Sequence, residues 1–141
     1  MTVSVDEQLR REAYGAAIVV DADEVAWWRD RVAAVAGALG ADRSTADVVR
    51  LGVSELLSDV VRHADDRRCL LDLRREGPFV TVRLFDRSRA APAVRAPDWT
   101  AESGRGLWLL REMTAGVGYT LTREGKWVWF RCRVAATEPP D

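Results

Sequence analysis

The feature that most constrains this chain is a change of hydrophobic period about halfway along it. Up to His63 the apolar residues recur at helical spacing, and from Cys69 onward they alternate with polar ones. Helices followed by strands on short turns can bury both apolar sets by laying the helices on one face of a sheet. Val25, Trp28, Val32, Val35 and Leu39 predict a helix over Asp23–Leu39 that stops at Gly40. A second helix is predicted to start at Ser44, where Asp47 makes a capping-box-like pair, and to run to about His63. Its apolar residues Val49, Val53, Leu56, Leu57, Val60 and Val61 share one broad face.

The alternating segments Cys69–Arg74 and Phe79–Phe85 read as strands joined by a turn at Glu76-Gly77-Pro78. Gly118–Arg123 and Lys126–Val134 read as a closing hairpin over Glu124-Gly125, Ala16–Val20 as a first strand and Gly104–Ala115 as a third helix. Between strand and helix, Arg87–Ser103 carries Pro92 and Pro97 and has no period; a loop this long inside a compact domain is usually functional or mobile. The fold expected is an α+β two-layer sandwich, a mostly antiparallel mixed sheet covered on one face by about three helices. The expected organisation is a flexible arm over 1–14, one domain over 15–135 and a disordered tail over 136–141.

Composition narrows the function classes. With 141 residues, 48% hydrophobic and 30% charged, the chain has the balance of one ordinary globular domain. No run approaches the roughly 18 apolar residues of a membrane helix, and residues 1–11 carry no secretory apolar region, so a cytoplasmic protein without a membrane is expected. A net charge of −1 gives a nucleic-acid partner no electrostatic support. The cations are arginines except for Lys126, as in a GC-rich coding sequence. Cys69 and Cys132 are far apart and lack metal-ligand spacing, which suits reduced strand thiols.

Three short segments carry chemistry. On the second helix Glu55, Asp59, Arg62 and His63 fall at i, i+4, i+7 and i+8, one stripe opposite the apolar face. Such a stripe serves as a solvated, ion-paired face, or it holds a metal and a phosphate. Asp86-Arg87-Ser88 ends a strand; Asp86 there starts a turn or accepts a hydrogen bond from an exocyclic amine. Gly104-Arg105-Gly106-Leu107 opens the third helix, where small residues and free N–H groups favour an anion, or simply end a loop.

Taken in order, these segments resemble the N box and the two glycine boxes of the GHKL (histidine-kinase-like) ATPase superfamily. Val53-Ser54-Glu55-Leu56-Leu57-Ser58-Asp59-Val60-Val61-Arg62-His63 is similar to the helix of its small bacterial anti-sigma serine kinases, and Gly125-Lys126-Trp127-Val128-Trp129 to their last hairpin. The resemblance spans roughly Ala16 to Val134. It implies a Bergerat-type ATP-binding fold, ATP with Mg²⁺, and a protein partner, either a sigma factor or an anti-sigma antagonist; it leaves a homodimer through the sheet open. It implies Glu55 as the base that polarises the attacking hydroxyl, Asp59 at the Mg²⁺ position usually held by asparagine, and Arg62 and His63 near the phosphates. Asp86 would read the adenine amine with Ser88 beside it, Gly104, Arg105, Gly106 and Leu107 would wrap the phosphates, and Arg87–Ser103 would form a lid. Aspartate is an acceptable oxygen ligand for Mg²⁺ and also adds negative charge beside a triphosphate. Two readings therefore stand: an ATP-binding regulator that phosphorylates or sequesters a partner, and a degenerate interaction module of the same fold.

Overall fold

The computed structural model describes residues 13–88 and 105–134. In chain order the elements are β1 (Ala13–Val19), a 3-10 turn (Ala22–Glu24), α1 (Val25–Ala38), α2 (Arg43–His63), β2 (Arg68–Glu76), β3 (Phe79–Asp86), α3 (Arg105–Met113), β4 (Gly116–Leu121) and β5 (Lys126–Arg133). The strands form one five-stranded sheet in the order β1-β2-β3-β5-β4. All four pairings are antiparallel.

Alternation along each strand sends one set of side chains toward the helices. Cys69, Leu71 and Leu73 of β2, Val80, Val82 and Leu84 of β3, and Val128, Phe130 and Cys132 of β5 are all buried there. Val49, Val53, Leu56, Leu57 and Val60 of α2 meet them, with Val32, Ala33 and Ala36 of α1 and Leu110 of α3 completing the core. Burial of each large apolar side chain contributes about 1.5–3 kcal/mol, so this layer contact is the main stabilising term. Among the described residues no helix covers the opposite face of the sheet. It carries Phe85 against Trp127 (centroids 5.2 Å apart) and an Arg83 guanidinium 4.3 Å from the Trp127 ring.

Two glycines fix the helix layer. Gly40 ends α1 with φ +110°, a conformation that favours glycine, and Arg75 Nη1 donates to the Leu39 carbonyl at 2.7 Å, satisfying the helix terminus. Gly52, in the middle of α2, lies against the Phe130 ring: a Cβ there would sit 2.3 Å from Phe130 Cζ. The missing side chain thus lets α2 approach β5 closely.

Several boundaries differ from the sequence reading. The N-cap of α2 is Asp42, whose carboxylate accepts from Thr45 N at 2.7 Å, whereas Asp47 is engaged by Arg50 Nη1 at 2.6 Å. A carboxylate caps better than a serine hydroxyl here because it also meets the positive end of the helix dipole. β1 begins at Ala13 because Ala13 and Tyr14 pair with Arg74 and Leu73 of β2. β4 ends at Leu121 because Thr122 turns: its N–H donates to the Gly125 carbonyl at 2.8 Å and its hydroxyl accepts from Gly125 N at 3.1 Å. Apart from Ala13 and Tyr14, the expected arm over 1–14 lies outside the described residues, as does the tail over 136–141.

Candidate functional site

β3 and β5 bring the one buried carboxylate and the one buried ammonium among the described residues side by side. Asp86 and Lys126 are cross-strand partners, 3% and 4% exposed, and Lys126 Nζ lies 3.7 Å from Asp86 Oδ2. Both follow the inward alternation of their strands, so both face the helix layer at the end of the sheet. Asp86 Oδ1 accepts from Ser88 N at 2.8 Å, the Asx-type turn that lets the chain leave β3. Burial raises the Asp86 carboxyl above the ordinary carboxylate range; the Lys126 charge and the Ser88 N–H oppose that rise, and the nearby Asp59 charge adds to it.

The β4–β5 turn is packed hard against this corner. A Cβ at Gly125 would lie 2.0 Å from the Asp86 carbonyl oxygen and 2.9 Å from Arg87 Cα, so the position excludes every side chain. On the other flank Asp66 binds Arg68 Nη2 at 2.8 Å and the Arg68 N–H at 3.0 Å, with Arg87 Nε 3.6 Å away. The Arg68 hydrogen bonds hold the Asp66 carboxyl down to about 2. Cys69, the cross-strand partner of Asp86, is pushed up to about 12 by burial and by the Asp86 and Asp66 charges, so it stays a protonated core thiol.

The α2 stripe stands as its spacing requires. Glu55 and Asp59 are half-buried, while Arg62 and His63 are exposed on the last turn. His63 Nε2 lies 3.7 Å from Asp59 Oδ1. The charge of Asp59 reaches Asp86, so α2 and the end of β3 border one electrostatic site. Arg105, Gly106 and Leu107 lie in the first described turn of α3, and Gly104 lies outside the described residues. Of the predicted lid, Arg87 and Ser88 are described and the rest is outside them.

Among the described residues no group of three or more His, Cys, Asp or Glu side chains could hold a metal ion. A Mg²⁺ that arrives with a ligand commonly takes only one or two carboxylates and completes its shell with phosphates and water, and Asp59 is a half-buried carboxylate at this corner. Sequence reasoning missed the place of Lys126. The signal was present: the single lysine of an arginine-rich chain, at a strand start that the hairpin sets opposite Asp86.

The chain matches the histidine kinase-like ATPase domain family over residues 18–132. A search of curated proteins gave no match. Among solved structures the fold is similar to the RsbU and RsbW domains of Rv1364c from Mycobacterium tuberculosis, with a TM-score of 0.65 and 14% identity over 88% of this chain and 32% of that one. It is also similar to the histidine kinase domain of a blue-light activated histidine kinase from Erythrobacter litoralis, with a TM-score of 0.49 and 19% identity over 84% of this chain and 65% of that one. The chain therefore spans about a third of the first structure and just under two thirds of the second. No helix among the described residues is long and apolar enough to cross a membrane.

Proposed function

Since the chain belongs to the histidine kinase-like ATPase domain family, we propose that it binds ATP with Mg²⁺ at the end of its sheet beneath α2 and acts through a protein partner. The observation that carries this reading is Asp86: a carboxylate 3% exposed, at a strand end, facing the half-buried acidic stripe of a helix. Burial of a charge is unfavourable unless a partner compensates it, so such groups mark sites. The adenine amine would donate to Asp86, with Ser88 N–H holding the carboxylate in orientation. The triphosphate would extend toward Asp59, Arg62, His63 and the first turn of α3, where Gly104, Arg105, Gly106 and Leu107 supply backbone N–H groups and a cation. Mg²⁺ on Asp59 would neutralise phosphate charge. Glu55, one turn earlier, would accept the proton of a partner's serine hydroxyl as that oxygen attacks. The expected partner is a sigma factor or an anti-sigma antagonist in the cytoplasm, and the sheet face bearing Phe85 and Trp127, which no described helix covers, offers a surface for it or for a second copy.

A second reading is favoured by one observation: the Asp59 charge works against that of Asp86. An interaction module that has lost nucleotide would carry such a mismatch without consequence. Calorimetry with ATP and Mg²⁺, paired with a melting curve, decides between them. ATP at about 100 times its dissociation constant is expected to add about 2.7 kcal/mol to stability. No heat and no shift at millimolar ATP would refute the nucleotide reading and leave the interaction module.

A further inference from the structure

The sheet face away from the helices is graded along its strands. Cross-strand register sets the outward residues in rows. Leu70, Phe85 and Trp127 share the row at the Asp86 end, and Asp72, Arg83 and Trp129 the next. Arg74, Thr81 and Arg131 make the third row, and Glu76, Phe79 and Arg133 the last. The first row is apolar, with Leu70 45% exposed. In the second, Asp72 neutralises Arg83 across the strands. The last two rows are cationic. Arg74, Arg131 and Arg133 have no carboxylate partner among the described residues, and Glu76 is the one carboxylate in their rows. The Arg131 and Arg133 guanidiniums lie instead 4.7 and 5.8 Å from the Phe79 ring centroid. A guanidinium laid on a ring keeps its N–H edges for a carboxylate. The face is also grooved. One hollow of about 370 Å³ is bordered by Leu70, Phe85 and Trp127, and another of about 420 Å³ by Trp127, Trp129, Arg83 and Arg131. Trp127 borders both, so one groove runs from the apolar row toward the arginines. Gly118 levels its floor: a Cβ there would lie 2.4 Å from Trp129 Cζ2, so the indole lies across β4.

We infer that this groove takes a segment of a protein partner that is apolar at one end and acidic at the other, with its acidic end over Arg131 and Arg133. The inference rests on the protein-partner half of the reading above, gives that partner its chemistry, and does not need nucleotide. Successive rows are two residues apart, about 6.7 Å, so the first and last are separated by about 20 Å. That length is about 13 residues of helix or about 6 of extended chain. The charge pattern decides among occupants. A single-stranded nucleic acid carries phosphate along its whole length and leaves the apolar row unmatched. A second copy of this chain brings the same cations. With the two-fold axis along the strands, arginine rows face arginine rows; with the axis across them, the arginines face the apolar row and their charge stays unanswered. Carboxylates at one end of an otherwise apolar segment answer both ends of the groove.

The test uses the wild-type chain without nucleotide and fluorescein-labelled peptides of about 13 residues, followed by anisotropy. The graded peptide carries Leu, Ile and Phe in its first half and Glu and Asp in its second. One control has the same residues interspersed, another has Lys in place of the acids, and a third is single-stranded oligothymidylate. The wild type is expected to bind the graded peptide about 10-fold more tightly than the interspersed one, and the other two more weakly still. Arg131→Gln with Arg133→Gln, both exposed positions, is expected to weaken the graded peptide about 3- to 30-fold, as for two exposed ion pairs. Leu70→Ser is expected to weaken it about 3- to 10-fold through lost apolar burial. Equal binding of the graded and interspersed peptides overturns the proposal, and these arms need no variant to fold. So does a lysine peptide or oligothymidylate that binds as tightly, or no binding of the graded peptide at millimolar concentration. A wild-type dimer in sedimentation that the two arginine substitutions dissociate assigns the groove to a second copy and overturns it as well. No arm contains ATP, so failure here leaves the ATP reading and a partner at another surface standing, and failure of ATP to bind leaves this proposal standing.

Discussion

Replacing Gly52 by alanine sets two opposed effects against each other at one position. In an exposed helix interior the change stabilises by about 0.8–1.0 kcal/mol, since glycine loses more backbone freedom on folding. At Gly52 the new methyl would lie 2.3, 2.4 and 2.9 Å from three atoms of the Phe130 ring. Ordinary carbon contacts are about 3.5–4.0 Å, so ring and helix must part by more than about 1 Å. The ring is fully buried and cannot swing into solvent. Overpacking of this kind costs typically about 1–3 kcal/mol, and a clash with three atoms of one rigid ring belongs at the upper end. The net expectation is a loss of about 2 kcal/mol, or a melting temperature lower by roughly 5–8 °C for a domain of this size. Gly37 in α1 is the internal control: nothing lies within 4 Å of a Cβ built there, so Gly37→Ala is expected to stabilise by about 0.5–1 kcal/mol. Urea unfolding and thermal melts of both variants, with Phe130→Leu alone and combined with Gly52→Ala, provide the measurement. The smaller side chain at 130 should recover part of the Gly52→Ala loss. A Gly52→Ala protein that melts at or above the wild-type temperature would refute the close approach of α2 to β5.

Four further outcomes are expected. Glu55→Ala should lower phosphoryl transfer to a partner by about 10²–10⁴-fold while ATP affinity is kept, checked by phosphate incorporation beside calorimetry; near-wild-type transfer would remove Glu55 from the chemistry. Asp59→Asn should leave Mg²⁺-ATP affinity within about tenfold of wild type. At an effective dielectric near 20 two unit charges about 4 Å apart interact by about 4 kcal/mol, and attraction to the doubly charged metal and repulsion from the multiply charged phosphates are of similar size and largely cancel. With a chelator present, the variant should bind ATP more tightly than the wild type. Cys69 and Cys132, pushed up by burial to about 12 and about 11, should resist alkylation at pH 8 and react once the protein is unfolded in urea; rapid native labelling would contradict their burial. Asp66 is lowered from 3.8 to about 2 by its Arg68 hydrogen bonds, so its stabilisation is complete above pH 4 and is lost as pH falls toward 2. Asp66→Asn should accordingly show a shallower acid-induced loss of stability over that window than the wild type.

The layer order was legible because burial leaves a strong periodic trace. The face of α2, the β2–β3 hairpin and the closing hairpin all followed from apolar spacing. Local competition was less legible. Asp42 and Ser44 are both N-cap residue types two positions apart, and the choice turned on a carboxylate meeting Thr45 N–H while Arg50 drew Asp47 away. The start of β1 depended on a partner strand more than fifty residues downstream, which no local window contains. At the candidate site the α2 stripe and Asp86 could be found from position within a motif. The place of Lys126 beside Asp86 could not, because it arises from cross-strand register, and register joins residues forty positions apart.

The burial of Lys126 also has a chemical consequence for handling the protein. It is the sole side-chain amine of the sequence, and it is 4% exposed. Acylating reagents need an accessible, neutral amine, so the folded molecule offers them almost no side-chain target. Each label found at Lys126 therefore records an excursion in which the β3–β5 end of the sheet came apart. Under conditions where opening and closing are fast, the labelling rate relative to an unstructured lysine peptide reports the free energy of that opening directly. With a single lysine in the chain, one peptide carries the whole signal once the label on the N-terminal α-amine is separated from it by mapping, and any ligand that occupies the corner should slow it.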